Sequence, residues 1–459
     1  MIQQQQTRRL GIKAVLLFAA AVVLLVASRR SWTVGILAVL TLSATVLLSR
    51  PVVFIYLLAA CTLFVPELSV GPGLNPNLFL LAGLGVAVVG RIAVSETWML
   101  PESRYVSAVL LFGIVGVLSL LKAFLYFEVL TVAVGGFFLA QWLLYLLVPV
   151  LMVVYLRGNV QQVTDLLAFV LIASAVMALY LLGLFLLDIR PIETTVSIAG
   201  HRPLVAFWQQ GNLAVGMFTA LTTLVSLGLA IKESNRWVAG ALVALTGLCA
   251  FLTLATLARS AILGLVVGLF IIAWLEYRWE TILAIMVAVP LGIVLAPEWL
   301  ILRFTRSTFF WSEVPALGIA IPIGTLAQRV DGWVRLGGVF LHNPLVGIGF
   351  SLSQERASQL FGSRVSPDNQ YIGLLVETGF LDFVVFWLWA RLVFRRLYRT
   401  YRDEVPELSG LALGMLGGFA GFLVWGFFQE FYARWRVLGP LFIYVGLIYA
   451  GHESSAGDD

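Results

Sequence analysis

Charged residues are scarce in this chain of 459 residues, where they make up 12% of the composition while hydrophobic residues make up 61%. An average soluble domain carries roughly 25% charged residues. A soluble globular fold is therefore excluded, because so much apolar surface could not be hidden from water. The formal net charge of +5 does not indicate nucleic-acid binding. The basic residues form short clusters between apolar runs, as membrane topology alone requires.

Cysteine and histidine are also rare. Cys61 and Cys249 both lie in apolar stretches, so we expect them to behave as small hydrophobic residues without a disulfide. His201, His342 and His452 are too few and too scattered to predict an imidazole metal centre. No metal and no cofactor are expected. The first apolar run has no small-residue cleavage site after it, which favours a retained membrane span.

Long apolar runs make up most of the rest of the sequence. A spanning helix needs about 20 mostly apolar residues. The sequence therefore predicts an all-α integral membrane fold with about 12–14 transmembrane helices and one large extracytoplasmic loop. The predicted spans are 10–27, 32–49, 51–66, 77–94, 104–122, 136–156, 162–187, 211–231, 237–257, 260–276, 280–297, 370–391, 408–428 and 436–451.

The distribution of Lys and Arg in short loops predicts the orientation. The strongest basic cluster, at positions 391–402, is expected to be cytoplasmic, and only Arg29 and Arg30 break the resulting alternation. The predicted divisions are N-terminal spans 1–187, central spans 188–297 with an outer loop 188–210, a large extracytoplasmic loop 298–369, and C-terminal spans with a short tail 370–459. Within that loop, the apolar segment 313–325 is expected to lie along the membrane interface.

Several arginines near the predicted outer surface allow two readings. Arg259 is either a snorkelling residue that marks a span end or an anion clamp that faces a cavity. Arg303, Arg306 and Arg329 form either a solvated basic face or a basic funnel for a phosphate-bearing substrate. Arginine suits the second role because its planar fork binds phosphate oxygens in a bidentate manner.

Other polar residues also need an explanation. Asp368 and Asn369 precede the predicted span 370–391, where either could cap the helix or face an outer cavity. Glu377 lies inside that span and is expected to pair or hydrogen-bond there, because an unpaired charge would be costly. His201 is either a surface residue or part of the outer site. The Gly-rich run 342–350 predicts a loop and only weakly a phosphate cradle.

Taken together, these residues resemble the bacterial O-antigen ligase and O-antigen polymerase superfamily, which are membrane glycosyltransferases acting on lipid-linked glycans. Four features match in order over residues 195–395. The first is a loop with a Gly-rich start and an Asn that opens the next span (Gly200 to Asn212), and the second is an Arg-Ser pair that heads an apolar helix (Arg259, Ser260). The third is a long loop with an Arg and a Trp, then Asn-Pro-Leu and Gly-x-Gly (Arg329, Trp333, Asn343, Pro344, Leu345, Gly347, Gly349). The fourth is a span that opens on Asp368, Asn369 and Tyr371 and continues to Glu377 and Gly379.

The resemblance implies a fold similar to the multi-span (GT-C-like) membrane glycosyltransferases and a polyprenyl-diphosphate-linked glycan as donor. Arg259 first, then Arg329 and Arg306, would stabilise the leaving diphosphate. Asp368 would orient or deprotonate the acceptor hydroxyl, with His342 as a second candidate. The remaining predicted substrate-binding residues are Arg303, Asn369, Tyr371, Asn212, His201 and Glu377.

Three functions follow from these expectations. Ligases of the superfamily usually carry His where this chain has Asp368, which favours a polysaccharide polymerase. The alternatives are an O-antigen ligase that transfers the finished glycan to a lipid core, and a transporter or flippase of lipid-linked saccharides. The expected location is the bacterial inner membrane, with the site on the periplasmic or extracellular face. The expected partners are the lipid-linked donor, a saccharide acceptor, the bilayer and other polysaccharide-assembly proteins, without nucleic acid.

Overall fold

The computed structural model is α-helical apart from one small hairpin, within the part of the chain that it describes. That part comprises residues 51–64, 103–156, 159–189, 211–276, 311–321, 324–362, 365–402, 406–430 and 435–455. In chain order, the elements are α1 (Pro51–Phe64), α2 (Ser103–Ala123), α3 (Val129–Leu156), α4 (Val160–Leu186), α5 (Gly211–Lys232), α6 (Arg236–Ala255), α7 (Arg259–Leu275), β1 (Ser312–Val314), β2 (Ile319–Ile321), α8 (Gly324–His342), α9 (Ser353–Phe361), α10 (Gln370–Glu377), α11 (Gly379–Arg402), α12 (Pro406–Gly426) and α13 (Trp435–Ser455).

Six of these helices, α2 to α6 and α12, are long and apolar enough to cross a membrane. The predicted all-α integral membrane fold is thereby confirmed. The predicted spans between 104 and 276, and those at 408–428 and 436–451, each coincide with a helix to within several residues. The predicted spans 10–27, 32–49, 77–94 and 280–297 lie outside the described residues.

Helices α5, α7 and α12 approach each other backbone to backbone through glycines. A Cβ atom on Gly264 of α7 would lie 2.8 Å from the Gly421 carbonyl oxygen of α12, and one on Gly268 would lie 2.8 Å from the Gly417 carbonyl oxygen. Gly228 of α5 meets Gly414 of α12 equally closely. Small residues permit this contact where lipid provides no hydrophobic driving force between helices. The pairs show that α12 runs antiparallel to both α5 and α7.

Buried hydroxyl groups join α5 to α6. Thr253 donates a hydrogen bond to the Thr219 hydroxyl at 2.9 Å. The hydroxyl oxygens of Ser226 and Thr246 lie 2.8 Å apart. Such interhelical hydrogen bonds stabilise membrane bundles by roughly 0.6 kcal/mol each on average. They fix α6 against α5 and so position the turn that leads into α7.

At one end of the bundle, Lys232 forms an ion pair with Glu276 at 2.8 Å, and the Tyr401 hydroxyl donates to the same carboxylate at 3.1 Å. Lys232 ends α5, Glu276 directly follows α7, and Tyr401 lies in the last turn of α11. We call this the basic end, because α11 also carries its arginines there. The opposite end, called the site end, has the first residues of α5 and α7 and the last residues of α12.

The structure corrects one local prediction. The predicted span 370–391 is two helices, because α10 stops at Glu377 and α11 begins at Gly379, where φ is +82°. The segment 313–325, expected to lie along the membrane interface, contains the antiparallel hairpin of β1 and β2, in which Glu313 pairs with Ala320. The large predicted loop also contains two helices, α8 and α9.

Candidate active site

Arg259 is the first residue of α7, at the site end. The Asn212 side-chain amide of α5 donates to the Thr256 carbonyl at 2.8 Å and so ties the turn before α7 to the start of α5. Ala258 precedes the helix without a side-chain cap. The Arg259 side chain is half-buried. Asn212, predicted to bind substrate, therefore fastens the turn that presents Arg259.

The residues before α10 separate the roles of Asp368 and Asn369. The Asn369 carbonyl oxygen Oδ1 accepts hydrogen bonds from the backbone N–H groups of Tyr371 and Ile372, at 2.9 and 3.1 Å. Asn369 is therefore the N-cap. Asp368 has a left-handed backbone, with φ of +40°, and its carboxylate accepts from the Ser366 hydroxyl at 3.0 Å. The capping alternative for Asp368 was wrong, and its half-buried carboxylate does not serve the helix start.

Helix α8 brings Arg329 to the same place. The indole N–H of Trp333, one turn after Arg329, donates to the Pro367 carbonyl at 2.6 Å, directly before Asp368. The Arg329 guanidinium carbon lies 5.8 Å from the centre of the Phe428 ring, beyond the end of α12. Burial lowers the pKa of the Arg329 guanidinium, and the negative charge of Asp368 acts against this by raising it. Arg329 and Asp368 thus carry opposite charges and lie close enough to influence each other electrostatically.

Glu377 holds a loop rather than facing a cavity. Its two carboxylate oxygens accept from the Ser351 backbone N–H at 2.8 Å and from the Ser353 hydroxyl at 2.7 Å, and the side chain is fully buried. The predicted hydrogen bonding of this charge is confirmed. Ser351 lies in the loop between α8 and α9, and Ser353 begins α9.

The Gly-x-Gly run docks on the end of α10. Gly347 and Gly349 have φ values of +70° and +120°, and the Gly349 N–H donates to the Glu377 backbone carbonyl at 2.9 Å. A Cβ atom on Gly347 would lie 2.4 Å from Glu377 backbone atoms. Glycine is required there by this close approach and by the left-handed backbone. The backbone N–H groups of Ile348 and Gly349 are bound to carbonyls and do not form a phosphate cradle.

Tyr371 is part of an aromatic cluster beneath the site. Its ring stacks on Trp387 at 5.4 Å between centroids and contacts Phe427 at 4.6 Å. Its hydroxyl donates to the Leu423 carbonyl at 2.5 Å. With only 5% of its surface exposed, Tyr371 fastens α10 to α12. The geometry gives it a positioning role in place of the predicted substrate contact.

The structure does not bring His342 to this cluster. His342 ends α8, thirteen residues after Arg329, which corresponds to roughly 20 Å along a helix. Its Nδ1 lies 2.8 Å from the Gly338 carbonyl oxygen and the side chain is exposed. His342 is therefore not supported as a second acid–base candidate. Arg303, Arg306 and His201 lie outside the described residues.

The cluster gathers around the last turns of α12. Gly421 contacts α7 five residues after Arg259, the Leu423 carbonyl holds Tyr371, and Phe428 lies under Arg329. Arg259, Arg329 and Asp368 therefore share the site end. We call these three residues the candidate site. Sequence reasoning did not assign Phe428 to the site, and it gave Trp333 no role, although Trp333 lies one helical turn from Arg329 on the same face.

The fold and these charges define a polytopic α-helical membrane protein with a polar site at one end of its bundle. Residues 242–387 match the model of the O-antigen ligase family. The match runs from α6 into α11 and includes all three residues of the candidate site. It confirms the predicted resemblance to the O-antigen ligase and polymerase superfamily and supports a membrane glycosyltransferase of that type. No curated protein matches the sequence.

Proposed function

We propose that this protein transfers a glycan from a polyprenyl-diphosphate carrier to a saccharide hydroxyl at the outer face of the membrane. The observation that carries the proposal is that Trp333, one turn after Arg329, holds the Pro367 carbonyl directly before Asp368, at the bundle end where α7 begins with Arg259. A carboxylate and guanidinium groups are the groups that this reaction needs, as base and as anion stabiliser.

The chemistry can be written for these side chains. The acceptor hydroxyl oxygen forms a bond to the anomeric carbon of the donor sugar while the bond from that carbon to the diphosphate oxygen breaks. The hydroxyl proton moves to the Asp368 carboxylate. Negative charge grows on the departing diphosphate, and the fixed guanidinium groups of Arg329 and Arg259 stabilise it.

The ordering of Asp368 supports its role as the base. Asn369 takes over the capping of α10, Ser366 hydrogen-bonds one carboxylate oxygen of Asp368, and Trp333 fixes the carbonyl before it. A base held by such contacts does not need to be reorganised when the acceptor arrives. Arg329 is half-buried, so its charge acts on a bound diphosphate with little screening by water.

The basic end is proposed to face the cytoplasm, because the basic cluster of α11 and Lys232 both lie there. The candidate site then opens on the side where nucleotide sugars are absent. A lipid-diphosphate glycan is already activated and can reach that side within the membrane. The proposed location is accordingly the inner membrane of a bacterium.

A polymerase, which joins repeat units into a long chain, is our preferred form of this function. Asp368 carries this preference, because it stands where the superfamily's ligases usually have His. The family match is compatible with both forms. In the polymerase the acceptor is a second lipid-linked repeat unit, whereas in a ligase it is a lipid core saccharide.

The test is incubation of the purified full-length protein in detergent with a lipid-diphosphate oligosaccharide, followed by sizing of the glycan. A ladder of long products supports the polymerase. Transfer of a single preformed chain to an added lipid core saccharide would replace it with the ligase. A folded protein that leaves the donor unconsumed in detergent, and that moves the donor across the membrane when reconstituted in vesicles, is a transporter. That result would show the proposal to be wrong.

Variants at Asp368 connect that activity to the site. Asp368→Ala is expected to lower the rate by about 10²–10⁴-fold, the usual contribution of a general base. In Asp368→His, an imidazole can act as the base in place of the carboxylate, so this variant should retain part of the rate. Glu128→Gln, which changes an exposed carboxylate between α2 and α3, is the matched control and should leave the rate unchanged. Equal rates in Asp368→Ala and the control would remove Asp368 from the mechanism.

A further inference from the structure

One face of α11 carries a row of exposed arginines that the proposed reaction does not use. Arg391, Arg395, Arg399 and Arg402 are all exposed and recur every three or four residues, so they lie on one face of the helix. We call this the arginine stripe. Arg396 is different, because it turns into the bundle, where its guanidinium carbon lies 4.9 Å from the centre of the Tyr449 ring.

The same face is apolar nearer the site end. Phe380, Leu381, Val384, Trp387 and Leu388 are between 38% and 50% exposed. Exposed apolar side chains on a membrane bundle face lipid. The arginine stripe continues this lipid-facing surface toward the basic end, without a change of helix face.

The stripe begins level with the middle of α12. The rings of Trp389 and Phe394, on either side of Arg391, both contact Phe419 of α12, at 5.6 and 5.1 Å between centroids. Phe419 is eleven residues beyond Leu408, where the apolar span of α12 starts, which corresponds to roughly 17 Å of helix. That span is 19 residues long, so Arg391 lies near its middle.

An arginine exposed to hydrocarbon at this depth is costly unless an anion compensates it. In the described part of the chain, the four guanidinium groups of the stripe form no ion pair, whereas Lys232 at the same end pairs with Glu276. Asp403 and Glu404 follow the stripe in sequence and lie outside the described residues. The compensating charge for Arg391 and Arg395 must reach the lipid-facing side of α11.

We propose that the arginine stripe binds the phosphate headgroups of anionic phospholipids in the leaflet at the basic end of the bundle. Guanidinium groups spaced at every helical turn would draw these headgroups along α11, from the membrane surface toward Arg391. The planar guanidinium fork suits phosphate oxygens, and its long stem lets the charge snorkel toward them. This inference does not depend on the proposed glycosyl transfer.

The probe is phosphatidylglycerol. The full-length protein is placed in nanodiscs of phosphatidylcholine alone or of phosphatidylcholine with phosphatidylglycerol, and lipid retention after transfer to detergent is measured by native mass spectrometry. Phosphatidylglycerol is expected to be retained over phosphatidylcholine. Each stripe arginine changed to Gln should weaken this binding by about fivefold, and the triple variant R391Q/R395Q/R399Q by about 100-fold.

Two controls separate the stripe from general surface charge and from misfolding. Arg236→Gln removes an equal charge from an exposed arginine at the basic end on α6, and should leave retention unchanged. The triple Lys variant keeps the charge and should retain most of the lipid, even if the triple Gln variant does not fold. The single variant Arg395→Gln removes one charge from the stripe and is compared directly with Arg236→Gln.

Three outcomes would overturn the proposal. One is equal retention of phosphatidylglycerol by Arg395→Gln and the wild-type protein. Another is an equal loss in Arg236→Gln and Arg395→Gln, which would indicate general surface charge. The third is a dimer in phosphatidylcholine that Arg395→Gln disrupts, which would show that a second copy of the chain covers the stripe.

Discussion

Removing a single hydrogen bond in front of Asp368 tests whether the site is positioned as described. Trp333→Phe keeps an aromatic ring on α8 but deletes the indole N–H that lies 2.6 Å from the Pro367 carbonyl. That carbonyl precedes a residue with a left-handed backbone, which the surrounding contacts must hold in place. Without the tether, Asp368 can relax toward an extended conformation and away from the acceptor.

The magnitude follows from the hydrogen bond. A lost hydrogen bond with a buried carbonyl left unpaired costs about 2 kcal/mol. If all of that energy appears as misplacement of Asp368, the rate falls by about 30-fold. Consumption of the lipid-diphosphate donor by purified protein is the assay, with expression and thermal stability measured in parallel. Trp311→Phe, at an exposed tryptophan directly before β1, is the matched control and should leave the rate unchanged.

A double-mutant cycle separates positioning from general stability. If Trp333 acts through Asp368, Trp333→Phe should have little further effect in an Asp368→Asn protein, because the group that it positions is already gone. The reasoning would be refuted if the two losses simply multiplied. It would also be refuted if Trp333→Phe matched the wild-type rate, or if Trp311→Phe lost as much.

Three further predictions concern the helices that carry the site. Arg259→Ala should lower polymer formation by about 10²–10³-fold at normal protein levels, with Arg236→Ala as the control that should not. Arg259→Lys should recover only part of the activity, because lysine lacks the planar guanidinium fork. Normal activity of Arg259→Ala would exclude Arg259 as an anion clamp. Glu377→Leu should lower the free energy of unfolding by about 2 kcal/mol, because the Ser351 N–H and the Ser353 hydroxyl would lose the carboxylate to which they donate. Glu313→Leu, at an exposed site, should not change the thermal midpoint. Gly421→Ala should lower the free energy of unfolding by about 1–3 kcal/mol, because its Cβ would lie 2.6 Å from the Gly264 carbonyl oxygen. Gly247→Ala should be tolerated, because a Cβ there has nothing within 4 Å. Equal thermal midpoints for the two variants would argue against the close α7–α12 contact.

Local sequence signals predicted the helices well. The apolar runs between 104 and 276 correspond to α2 through α7, because a helix that crosses lipid must satisfy its own backbone and so depends on little beyond its composition. The break at Thr378 was missed. The sequence there remains apolar on both sides, and the break becomes evident only where Gly379 meets the Leu345 carbonyl at a left-handed backbone angle.

The roles of individual polar residues were harder to predict. Asp368 and Asn369 are adjacent and chemically similar, and both are acceptable helix caps. Only the tertiary structure assigns the cap to Asn369 and leaves the Asp368 carboxylate to accept from the Ser366 hydroxyl. Tyr371 and Asn212 were predicted to bind substrate, but the Tyr371 hydroxyl and the Asn212 amide N–H donate to carbonyls of α12 and of the turn before α7.

Composition and the spacing of apolar runs suffice to identify an integral membrane protein and to locate its helices between 104 and 276, because they set the cost of placing each residue in lipid. Which charged residues come together depends on how the helices pack. Arg259 and Arg329 are seventy residues apart in the chain and reach one end of the bundle only because glycines let α7 and α12 pack closely and because Trp333 ties α8 to the start of α10. The same packing leaves His342 some distance away along α8, which residue type alone could not reveal.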